Sequence, residues 1–160
     1  DLSSDEMVIS NGRNGEFDAS LEEILHLVTQ GYFSVFPKLK RLVLMAMDKA
    51  RGGHFETLPN IYPDSAVFTY LDKTCGYREC MPDEYIYWGL SSLLGAQEFA
   101  GRLEDIEDEW TLNTPSKFKH GDPALYAILI DKEYKWPSVL PNGIYTSKKF
   151  ETMSLRTKGR

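Results

Sequence analysis

Four prolines, Pro37, Pro82, Pro115 and Pro123, each stand where a helical run can begin. Proline is tolerated in the first helical turn, where its missing N–H is not needed, and is excluded from a helix interior. The pattern predicts helices opening at these points and leaves little chain for a sheet. After Pro37, Leu39, Leu42, Val43, Ala46, Met47 and Ala50 share one face, and Gly52-Gly53 ends the run. After Pro82, Tyr85, Ile86, Trp88, Leu90, Leu93 and Leu94 lead to Gly95. Thr114 and Asp122 precede the last two of the four prolines as capping residues of two short helices.

Two more helices follow from periodicity. Leu21, Ile24, Leu25 and Val28 form an apolar stripe over residues 18–29, closed by Gly31. Phe99, Leu103, Ile106 and Trp110 recur four, three and four apart, with an acidic outer face. Residues 54–66 read as loop and 67–71 as a short strand. The fold class is therefore mainly α, with minor β. Residues 1–17 are polar and turn-rich, 18–145 form one helical domain, and 146–160 are a basic tail expected to be mobile.

The chain has 160 residues, 42% of them hydrophobic, enough for one compact domain. Its net charge of −6 argues against a nucleic-acid backbone as partner. No apolar run is long enough to span a membrane. The first residue, Asp1, is not an initiator Met, which suggests a processed product. Cys75 and Cys80 bracket a short loop containing Gly76, spacing that suits a small disulfide ring and, with it, a secreted or extracytoplasmic location. Two free thiols in a cytosolic protein are the plain alternative.

The chemistry concentrates in Glu22-Glu23-Ile24-Leu25-His26. On a helix, positions i and i+4 lie on one face, so Glu22 and His26 can clamp one cation. The plainer reading of the same residues is a capping box, Ser20-Leu21-Glu22-Glu23, with His26 an ordinary half-buried histidine. His54, after Gly52-Gly53, is a weaker candidate ligand, and His120 reads as a helix C-terminal residue. Arg51-Gly52-Gly53 lacks the Gly-Lys-Ser/Thr of a phosphate loop, and the acidic run from Glu104 to Glu109 lacks EF-hand spacing. No serine or cysteine triad assembles from these residues.

Glu84-Tyr85-Ile86-Tyr87 opens the second long helix, and Tyr77 stands seven residues before Glu84. With residues 22–26, this resembles the zincin metallopeptidases of the anthrax lethal factor type, over well under half of the chain. The resemblance implies a zincin-like helical domain with a zinc ion or another divalent metal. His26 and Glu84 match metal ligands, and Glu22 stands where the family has its first histidine. Glu23 matches the general base and Tyr77 the hydroxyl that supports a developing oxyanion.

Exchanging an imidazole for the Glu22 carboxylate makes any bound metal a poorer Lewis acid and favours harder ions such as Mn²⁺ or Ca²⁺. The resemblance thus implies a secreted, zincin-derived protein that is weak or inactive as a peptidase, acting if at all on a peptide or protein. In zincins a sheet precedes the active-site helix, and too few residues precede Glu22 to form it. Either the chain is the C-terminal part of a longer precursor, with a separately processed N-terminal chain as a candidate partner, or the resemblance covers the helices alone. A non-enzymatic toxin, defence or binding protein on a helical scaffold is the alternative.

Overall fold

The computed structural model describes residues 19–141. Expectations for residues 1–17, for 146–160 and for the last residues of the domain lie outside that range.

Among the described residues six helices follow in order: α1 Ser20–Val35, α2 Pro37–Ala50, α3 Met81–Leu93, α4 Arg102–Ile106, α5 Pro115–Gly121 and α6 Pro123–Leu129. The architecture is mainly helical, as the proline and apolar pattern requires. Pro37 and Pro82 lie in first turns, and Pro115 and Pro123 open α5 and α6. The side chains of Thr114 and Asp122 cap the last two helices by accepting from Lys117 N and Leu125 N.

α3 is the central helix. It packs against α1, α2, α5 and α6, and most of its residues, Tyr85, Ile86 and Leu90 among them, are buried. It approaches α6 so closely that a Cβ added at Gly89 would overlap the Leu125 side chain. This is why an otherwise poor helix former sits in its middle. Phe68, Trp110 and Phe118 fill the space between the helices and the returning loop.

Three local expectations are corrected. α1 does not stop at Gly31 but runs to Val35, because Phe33 is buried in the core and Tyr32 stacks on Trp136 at 4.1 Å. Tertiary packing outweighs the cost of about 1 kcal/mol for an interior glycine. The helix ends instead where Phe36 precedes Pro37. The long amphipathic helix over 99–110 is reduced to α4, since Gly101 takes a φ of 85° at its start. Finally, residues 67–71 make no strand of a sheet; Phe68 and Trp110 form an isolated antiparallel bridge. Thr69 N donates to Glu109 O at 2.8 Å and Thr111 N to Val67 O at 3.2 Å, tying these two segments together.

Cys75 and Cys80 are joined as a disulfide, with Cα atoms 5.5 Å apart. Among the described residues, no helix is long and apolar enough to cross a membrane.

Candidate metal centre

Glu22 and His26 stand one turn apart on α1, and their side chains leave the same face. Glu84 projects from the first turn of α3, where the positive end of the helix dipole favours a carboxylate. Because α1 packs on α3, the three meet: one ligand atom from each lies within 4.8 Å of the others. His26 Nε2 is 3.5 Å from Glu84 Oε2, a separation better suited to an ion pair than to a hydrogen bond. That nitrogen is buried and has no hydrogen-bond partner.

The electrostatics reflect crowded, desolvated charge. Burial first, and then the Glu84 carboxylate, push Glu22 up to about 7, against the pull of His26 and the Tyr87 hydroxyl. Burial draws the His26 imidazole down, but Glu84, Glu22 and Asp83 together outweigh it and leave its pKa raised. Asp83, beside Glu84, is itself pushed to about 6 by burial, although it accepts a hydrogen bond from Gln30 one turn beyond His26. Its other oxygen, Oδ1, is buried without a partner. Two half-buried carboxylates and a half-buried imidazole facing one point is the arrangement a cation would relieve.

A further set of side chains supports Glu22 from behind. Tyr87, itself bonded to Glu22, receives Gln97 Nε2 at 3.3 Å, and Gln97 Oε1 accepts from Arg102 Nε at 2.7 Å. The cluster lies between two depressions that share Glu22. One, of about 310 Å³, is acidic and includes Glu84, Tyr70, Asp72, Asp108 and Glu109. The other, of about 360 Å³, is apolar and is walled by Leu21, Leu25, Val28, Leu90 and Leu94.

Of the residues singled out in the sequence, the fold brings Glu22, His26 and Glu84 together, with Glu23 partly exposed on the adjacent position of α1. It does not bring Tyr77. The Tyr77 hydroxyl donates to Asp48 Oδ1 on α2 at 2.7 Å, and its ring meets His54 edge-on. Spacing from Glu84 says nothing about direction, and the disulfide ring turns Tyr77 toward α2. His54 stands beside Asp48 instead, its Nδ1 2.9 Å from Asp48 Oδ2, and is not among the ligand atoms that converge with Glu22, His26 and Glu84. His120 lies in the last turn of α5, 2.8 Å from Ser116 O, as its position before Gly121 suggests.

Besides Tyr87, a second tyrosine, Tyr70, stands near the cluster. It lines the acidic depression beside Glu22 and Glu84, and burial, followed by Glu84 and other carboxylates, raises its hydroxyl well above the ordinary range. Glu109 was hidden in the acidic run; it accepts from Trp88 Nε1 at 3.1 Å, and burial pushes it to about 7. No helical periodicity marks either residue, because both are carried by the non-helical segments that the Phe68–Trp110 bridge holds together.

No protein-family model matches this chain, and neither a curated protein nor a solved structure matches it.

Proposed function

We propose that this chain is a zincin-derived domain in which Glu22, His26 and Glu84 hold one divalent cation, and that it is weak or inactive as a metallopeptidase. The convergence of three ligand atoms within 4.8 Å, from two helices far apart in sequence, carries the reading. The donor set suits a cation because His26 Nε2 has no other partner and the two carboxylates repel each other. Two carboxylates and a neutral imidazole offset a divalent charge fully, and oxygen-rich donors favour Mn²⁺ or Ca²⁺ over zinc. Such a cation would supply Lewis-acid polarisation of a carbonyl, less strongly than at a site with two histidines. Glu23 would accept a proton from the attacking water, and Tyr70, in place of Tyr77, would donate to a developing oxyanion.

The depressions on either side of Glu22 leave room for an extended peptide. Leu27, Val35 and Met45, all more than half exposed on α1 and α2, offer a surface to a separately processed N-terminal chain. The disulfide agrees with a secreted protein, since such bonds persist in oxidising compartments. Metal analysis of protein from its native source, with anomalous scattering from a crystal, tests the reading. A stoichiometric ion among Glu22, His26 and Glu84 supports it; its absence from untreated protein refutes it.

One observation favours a second reading, a non-enzymatic toxin, defence or binding protein. The apolar depression is walled almost wholly by hydrocarbon and is as large as a small-ligand site. On that reading, biological activity survives Glu22→Ala and His26→Ala and is lost on Leu94→Asp.

A further inference from the structure

Helices α5 and α6 begin with a side-chain cap, whereas α1 to α4 do not, and at the start of α3 the N-cap residue is the disulfide-bonded Cys80. A helix start without a cap frays readily. Yet the first turn of α3 carries Glu84, whose position decides whether the three ligand atoms meet. Burial of Met81, Pro82 and Asp83 and the hydrogen bond from Gln30 to the Asp83 carboxylate hold one side of that turn, and the disulfide ring, from which the helix springs, holds its start. The carbonyl of Cys80 accepts Asp83 N at 2.8 Å and Glu84 N at 3.2 Å, and Gly76 O, inside the ring, accepts Glu79 N at 3.0 Å. The ring is anchored in turn. Cys75 is buried, and Tyr77 within the ring donates to Asp48 on α2. A continuous chain of contacts thus runs from α2 through the ring and Cys80 to the Glu84 backbone.

We infer that the Cys75–Cys80 disulfide is a positioning element for Glu84, making cation affinity at the cluster redox-dependent. The inference rests on the cation reading above and adds its regulation. A dithiol reductant would supply two electrons and two protons, cleave the S–S bond to two thiols, and itself become a disulfide. The freed Cys80 would no longer fix the carbonyl that orders Asp83 and Glu84. The supporting role is of the kind whose loss weakens metal binding about tenfold or more.

The test uses the full chain, wild type and Cys75→Ser/Cys80→Ser, with Mn²⁺ as probe because freed thiolates would capture softer ions. The expected result is Mn²⁺ binding about tenfold weaker in the double variant. In the metal-free protein, backbone amides at Asp83 and Glu84 should exchange faster with solvent while Leu90, deep in α3, stays protected. Binding within twofold of wild type, or unchanged exchange at Asp83 and Glu84, overturns the inference. Should Leu90 lose protection too, the variant has unfolded, and wild type reduced with a dithiol, compared with the oxidised protein at a temperature where Leu90 stays protected, decides by the same two readouts. Wild type that takes up no Mn²⁺ would sink the cation reading instead, and the exchange data would still settle whether the ring orders Glu84.

Discussion

His26 Nε2 on α1 faces Glu84 Oε2 on α3 across 3.5 Å, although more than fifty residues of chain separate them. Neither helix alone could make this site. Glu22 and His26 would be a pair of neighbours on a helix face, and Glu84 an ordinary carboxylate at a helix N-terminus. Their meeting follows from the packing of α1 against α3, and the main predictions test it.

Metal binding should be stoichiometric and should depend on all three ligands. With cation at a hundredfold above its dissociation constant, the chain gains about 2.7 kcal/mol of stability. Glu84→Gln removes one ligand and abolishes most of that gain. Thermal melts with and without a chelator check it: a melting temperature equally insensitive to metal in both proteins contradicts the assignment.

The metal-free protein should lose stability as the medium becomes more alkaline. Glu22 and Glu109 are both raised to about 7 in the folded chain, from an ordinary value of 4.5. The folded state therefore binds more protons than the unfolded state between those values. This stability is fully present below about 4.5 and lost as pH rises through about 7. His26, raised by Glu84 and its neighbours against the effect of burial, acts in the same direction. Cation affinity should run the opposite way, falling on acidification as protons compete for Glu22 and His26. Denaturant titrations from pH 5 to 8, without and with metal, measure both slopes.

Peptide cleavage should be slow or undetectable even with metal bound. Glu22→His restores a second imidazole and should raise the rate, while Glu23→Gln added to that variant should remove the gain. A fluorogenic peptide assay reads the outcome. Vigorous wild-type cleavage, abolished by a chelator and by Glu23→Gln, would show that the Glu22 carboxylate is no handicap.

The two tyrosines should separate cleanly. Tyr77→Phe leaves Asp48 short of one donor and should cost about 1 kcal/mol of stability. Tyr70→Phe should cost less stability and change instead whatever the cluster binds or converts, since Tyr70 lines the depression with Glu22 and Glu84. Equilibrium unfolding combined with metal titration of both variants distinguishes the roles.

Gly89→Ala should destabilise the fold by about 1–3 kcal/mol, because the added methyl group overlaps Leu125 and forces α3 from α6. A neutral effect on urea unfolding would mean that α3 and α6 leave room for a methyl group between Gly89 and Leu125.

The helical class was legible in the chain because its signals are local. A proline in a first turn, a Thr or Asp cap and a three-to-four spacing act within a few residues, and α2, α3, α5 and α6 open where those signals lie. The same locality made Glu22, His26 and the Cys75–Cys80 ring readable, since each is a short-range spacing. Glu84 could be chosen only through its resemblance to a motif. What lay beyond reach depends on contacts between distant segments. Burial of Phe33 carried α1 past Gly31, the ring turned Tyr77 to Asp48, and the bridge of Phe68 to Trp110 brought Tyr70 and Glu109 to the cluster. Side-chain direction at such places is set by packing energy summed over the whole core, which no window of sequence contains.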